Sequence, residues 1–132
     1  MMASELRVTT IANNAGTESV DTTYVVNGSA KMFIDIPSGQ ASINTSLNVS
    51  SLDDDGTGDG GINFTSSLDS VNYAVVVASQ DGGSASPVRD HDVTDGTQAA
   101  SSYDFETFYV NATTSRTNDD CRTYSAIFGD LA

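Results

Sequence analysis

Between Ser29 and Val49 apolar and polar residues alternate with a period of two, which restricts this stretch to half-buried β-strands. Met32, Ile34 and Ile36 fall on one side and Phe33 on the other, until Pro37-Ser38-Gly39 turns the chain. Ile43, Thr45, Leu47 and Val49 then share a face, with Asn44, Ser46 and Asn48 opposite. One buried and one wetted face is the habit of an antiparallel sheet.

The pattern recurs downstream. The turn cluster Asp53-Asp54-Asp55-Gly56-Thr57-Gly58-Asp59-Gly60-Gly61 leads into Ile62-Asn63-Phe64-Thr65, and strand, Asp/Gly turn and strand together predict a β-hairpin. Val71–Ala78 is the most apolar window and reads as a central strand buried on both faces. From Gln80 to Ala100 the chain is polar, and reads as a long loop or a short edge strand at Val88–Val93. Tyr103, Phe105, Phe108, Tyr109 and Val110 make an aromatic-rich strand. Arg122–Phe128 closes the chain with Tyr124, Ala126 and Phe128 on one face and Ile127 on the other.

No window sustains helical i, i+3, i+4 apolar spacing, and the one helical candidate is a short turn near Val71–Ala74. Charged residues are 17% of the chain, so its polar surface must come mainly from Ser, Thr, Asn and Gly, and Ser, Thr and Asn side chains compete with helical backbone bonds. About six to eight short strands, spaced roughly 8–12 residues apart, predict an all-β, antiparallel β-sandwich of jelly-roll-like form over residues 29–132. Residues 1–28, with Leu6, Val8, Ile11 and Tyr24-Val25-Val26, are too thinly apolar to form a core. They are expected to be an arm of short strands or extended chain against a neighbouring subunit.

The 132 residues suit one domain. Five basic and 18 acidic residues leave a net charge of −13, which argues against nucleic acid or an anionic membrane as partner. Such acidity favours solubility and suits a saline setting. Cys121 stands alone, so no intrachain disulfide forms. Neither a secretory signal nor an apolar stretch of membrane-spanning length is evident, and a soluble product of a cytoplasm is expected.

Ser29-Ala30-Lys31, Leu47 to Leu52, Asp55-Gly56-Thr57-Gly58-Asp59, Ile62 to Thr65, Asn72-Tyr73-Ala74-Val75 and the closing Ala126-Ile127-Phe128-Gly129 occur in that order. This ordered set resembles a β-structured domain of phage tail-fibre and other virion proteins, common in phages of marine and freshwater bacteria. The opening Ala3-Ser4-Glu5-Leu6-Arg7-Val8 is similar to the start of many phage structural proteins. The chain departs from the pattern at Met32-Phe33, where Trp is frequent, and at Gly60-Gly61, where an aromatic residue and Thr are usual. The resemblance implies a non-catalytic, usually trimeric component of the virion surface that contacts other capsid or tail proteins. A fibre or spike-type appendage is the first expectation, with a trimeric capsid decoration (cement) protein as one alternative. A lectin-like β-sandwich that binds a host surface glycan is the other.

No cofactor is expected. Asp53, Asp55, Thr57 and Asp59 have the oxygen spacing of a calcium loop, but Phe64 stands where the bidentate Glu should be, so a hairpin turn is the preferred reading. His91 lies between Asp90 and Asp92 with no second His and no nucleophile motif, and is expected at the surface. Acidic neighbours make Cys121 an inert thiol. Leu6, Val8, Tyr24, Tyr103, Phe105, Phe108 and Tyr109 are the interface or ligand candidates, although aromatics on a strand more often fill a core.

Overall fold

In the computed structural model, which describes residues 7–80, 88–94, 96–110 and 115–132, two antiparallel sheets pack face to face. The strands are β1 (Thr10–Ala12), β2 (Ser19–Asp21), β3 (Met32–Ile36), β4 (Thr45–Leu47), β5 (Val49–Gly56) and β6 (Asp59–Phe64). They continue with β7 (Ala74–Gln80), β8 (Val88–Val93), β9 (Ser102–Val110), β10 (Arg116–Asn118) and β11 (Arg122–Phe128). A four-stranded sheet runs β4-β3-β11-β7. A five-stranded sheet runs β10-β9-β6-β5, with β8 on the other edge of β9. The all-β sandwich is the architecture expected from the alternation.

Its core forms where the inward rows meet. Met32, Ile34 and Ile36 of β3 and Ile127 of β11 face Ile62 and Phe64 of β6 and Tyr103 and Phe105 of β9, all buried. Phe64 lies edge-on to Tyr73 at 6.1 Å, and the Tyr73 hydroxyl donates toward the Ala99 and Ser102 carbonyls. An amphipathic aromatic thus joins the apolar core to a loop without stranding its polar end.

Several local expectations need correction. The segment Ile43–Val49 is not one strand. Asn48 takes φ +57, a left-handed conformation that Asn tolerates, and there the chain passes from the four-stranded to the five-stranded sheet. Its side chain donates to the Ser66 carbonyl at 3.0 Å and accepts from the Ser66 amide at 2.7 Å. Asp53–Asp55 are strand residues of β5, and the hairpin turn is confined to Gly56–Asp59. Gly60 and Gly61 lie within β6, buried, rather than in the turn. A Cβ on Gly60 would sit 2.7 Å from the Asp53 carbonyl and 3.1 Å from the Phe105 ring, so only glycine lets that ring pack against the strand.

The arm is not wholly extended either. Residues 22–28 form a short helix, α1 (Thr22–Gly28), behind the β1–β2 hairpin. Asp21 supplies its N-cap, accepting from the Thr23 amide at 2.7 Å. At the other end the Lys31 ammonium donates to the Val26 and Ser29 carbonyls, satisfying groups that the helix end leaves open. These two end contacts override the β preference of Tyr24-Val25-Val26. Leu6 lies outside the described residues.

Candidate functional site: the outer face of the four-stranded sheet

Residues directly opposite in neighbouring strands point to the same side of a sheet. Leu47 pairs with Phe33, Phe33 with Ala126, and Ala126 with Val76, giving an apolar row across all four strands. A second row joins Thr45, Asp35, Tyr124 and Ala78, and Phe128 pairs with Ala74 on the far side of the first. None of this row faces the core. Leu47, Phe33 and Val76 are 49%, 40% and 57% exposed, and Phe33, Thr45, Val76, Tyr124 and Ala126 line a shallow groove of about 460 Å³.

This arrangement explains one misread strand and agrees with the reading of another, β11, whose Tyr124, Ala126 and Phe128 share a face opposite Ile127. The run Val71–Ala78 reads as a central strand buried on both faces, but the strand is β7, Ala74–Gln80. It is an edge strand whose Val75 and Val77 point toward the core while Ala74, Val76 and Ala78 are exposed. An apolar outer face abolishes the alternation that normally distinguishes the two sides. In β11, which is central, Thr123, Ser125 and Ile127 face inward, and Tyr124, Ala126 and Phe128 belong to the outer face.

One end of the face is closed by polar contacts. Arg122 donates to both Asp35 oxygens, at 3.0 and 2.7 Å, and its guanidinium lies 5.2 Å from the Tyr124 ring centre. These bonds hold the Asp35 carboxyl below its ordinary range. The Tyr124 hydroxyl donates to Gln80 at 2.7 Å. The other end, from Phe33 and Leu47, opens into a second groove of about 630 Å³ lined by Val25, Val26, Ala30, Leu47 and Leu131.

The arm contributes exposed apolar side chains of its own. Ile11 and Val20 are a cross-strand pair of the hairpin, both exposed, and no residue of α1 is buried. Val8 and Tyr24, both interface candidates, are exposed as well, Tyr24 at 75%.

The remaining candidates lie elsewhere. Tyr103 and Phe105 are fully buried and present nothing to a ligand or a partner, because odd-numbered positions of β9 face the core. Phe108 points outward but is covered by the Arg116 guanidinium, 3.7 Å from its ring centre. Tyr109 is half-buried beside β10.

Around Phe108 the outer face of the five-stranded sheet is acidic. One row holds Asp53, Gly61 and Asp104, and the next Asp59, Glu106 and Asp92, with Arg116 paired to Glu106 and Asp92. Partial burial, then Asp55, Asp59 and Asp53, raise the Asp104 carboxyl above its ordinary range. Of the four calcium candidates, Asp53 and Asp55 lie in β5, Thr57 in the turn and Asp59 at the start of β6. Among the described residues no three carboxylate, His or Cys side chains converge to hold a metal ion.

The interior carries a polar end that the sequence did not reveal. His91 is 2% exposed, contrary to the surface position expected, because it lies opposite Thr107 in the β8–β9 pair and both side chains point inward. Its Nδ1 meets the Thr123 hydroxyl, which also donates to the Ala78 carbonyl, and its ring lies 5.1 Å from Phe105. Its Nε2 has no partner among the described residues, and burial lowers its pKa to about 4. Nearby, the Gln40 amide donates to Thr107 Oγ1 at 2.7 Å and to the Cys121 carbonyl at 3.2 Å. Cys121 is buried there, which pushes its thiol pKa up.

Comparison of the chain with protein-family models, curated proteins and solved structures returns no match.

Proposed function

We propose that this chain is a non-enzymatic structural subunit of a bacteriophage particle, assembled as a homotrimer on the virion surface, with a fibre or spike-type appendage favoured over a capsid decoration. The observation that carries the assembly part is the sandwich's outer apolar row, Leu47-Phe33-Ala126-Val76, which the described residues leave uncovered. Contiguous apolar surface of this kind marks protein contact sites. The virion part draws on the ordered motif set, from Ser29-Ala30-Lys31 to Ala126-Ile127-Phe128-Gly129. The opposite, acidic face suits exposure to solvent and repels wrong partners.

Light scattering on the full chain tests the assembly: a mass three times that of the chain is expected, and a strict monomer at high concentration overturns it. Antibody labelling of intact particles tests the location. Label on tail structures supports the appendage, label on the head shifts the reading to decoration, and particles that lack the chain sink the virion assignment.

A further inference from the structure

We infer that the arm of one copy, residues 7–28, docks on the outer face of the four-stranded sheet of the next copy, so that the assembly closes by arm exchange. The inference rests on the subunit reading above and names the two surfaces that make the contact.

The arm lacks the means to be stable by itself. A lone two-stranded hairpin is marginal in water, and so is a helix shorter than about 12 residues. Yet β1, β2 and the seven-residue α1 are formed, with Ile11, Val20, Tyr24, Val25 and Val26 all exposed. Order without burial calls for a cover that the described residues of the same chain do not supply.

The sheet face has the complementary deficit. Four strands about 4.8 Å apart and three rows about 6.8 Å apart enclose roughly 400 Å². A stable interface needs about 800 Å² from each partner, so two such faces pressed together fall short. In a closed ring each copy gives an arm and receives another. It then buries apolar surface on both its arm and its face, where face-to-face pairing covers the face alone.

The geometry of the root favours exchange. Lys31 ties the end of α1 to the start of β3, two residues before Phe33, so the arm springs from the rim of the face. The groove between α1 and the body shares Leu47 with that face, which makes the two apolar surfaces continuous. Arm-to-face contact joins unlike surfaces, and such head-to-tail contacts make a ring when the rotation between copies closes and an open filament when it does not.

The test uses the full chain in two forms of different size, one carrying Val76→Cys and the other Ile11→Cys or Tyr24→Cys, mixed and treated with a short bis-maleimide. Cys121 is buried and stays out of reach. Mixed-size cross-linked products, at least tenfold above those from either form alone, are expected for one arm position or both. Assembly by light scattering without any such product overturns arm exchange and leaves the subunit reading standing, whereas a strict monomer overturns both. A doubly substituted chain that yields only an intrachain bond places the arm on its own face and also overturns the exchange.

Discussion

The two outer faces of this sandwich are built on the same kind of strand and carry opposite chemistry. On the four-stranded sheet, Leu47, Phe33, Ala126 and Val76 make a continuous apolar row. On the five-stranded sheet, Asp53, Asp104, Asp59, Glu106 and Asp92 crowd together with Arg116 among them. The net charge of −13 is therefore unevenly used. A face meant for water can be loaded with carboxylates because their repulsion is screened there. On the proposed contact face an unpaired charge would be costly to bury. Its one carboxylate, Asp35, sits at the border and is neutralised by Arg122.

The sharpest way to break the comparison is to truncate the same residue type on each side of the four-stranded sheet's contacts. Phe105 is fully buried between the sheets, and Phe105→Ala is expected to cost about 3–5 kcal/mol in denaturant unfolding. Phe33 lies on the outer face, and Phe33→Ala is expected to cost about 1 kcal/mol or less in the separated chain. Its effect should appear in light scattering instead, as weakened assembly. A collapse of the monomer fold in Phe33→Ala would mean that the outer face is an internal structural element and not a contact surface.

Acid should act on the interior before it acts on either face. His91 has a folded pKa of about 4 against an ordinary 6.5, so the unfolded chain binds the extra proton first. Stability is then unaffected above pH 6.5, falls as pH drops through that value, and is fully reduced below pH 4, by about 3 kcal/mol. His91→Gln keeps a partner for Thr123 and removes the titration, so the slope between pH 6.5 and 4 should flatten in thermal melts. An unchanged slope would assign the acid response to other groups.

How far the sequence revealed this architecture depended on whether apolar and polar sides differed. In β3, Met32, Ile34 and Ile36 alternate with an exposed Phe33 and a half-buried Asp35, and both strand and buried face were legible. The hairpin of β5 and β6 was legible from its Asp/Gly cluster, though not the point where strand became turn. In β7 the outer face is as apolar as the inner one, so the contrast disappeared and an edge strand looked central. That lost contrast was itself the signal of the candidate site: an apolar run in an antiparallel sheet that needs no second core layer. His91 and Gln40 were out of reach for a different reason. Their burial is set by partners 32 and 67 residues away, Thr123 and Thr107, which no local pattern encodes.

The mildest test concerns the acidic face. A Cβ on Gly61 would lie 3.0 Å from an Asp104 oxygen and 3.6 Å from one of Asp53, so these carboxylates close over a residue without a side chain. Asp104 carries a raised pKa, so its contribution to stability is present below the ordinary carboxylate range and is lost as pH rises through the folded value. Asp104→Asn should therefore stabilise the chain at pH 7 by about 0.5 kcal/mol, with the gain shrinking in 0.5 M salt, roughly the regime where screening shortens to a few ångströms. The gain should also vanish near pH 3, where the carboxyl is protonated, roughly below its reference value. If Asp104→Asn destabilises the chain at pH 7 in low salt, the carboxylate is held by a favourable contact, and this face is more than a solvated surface.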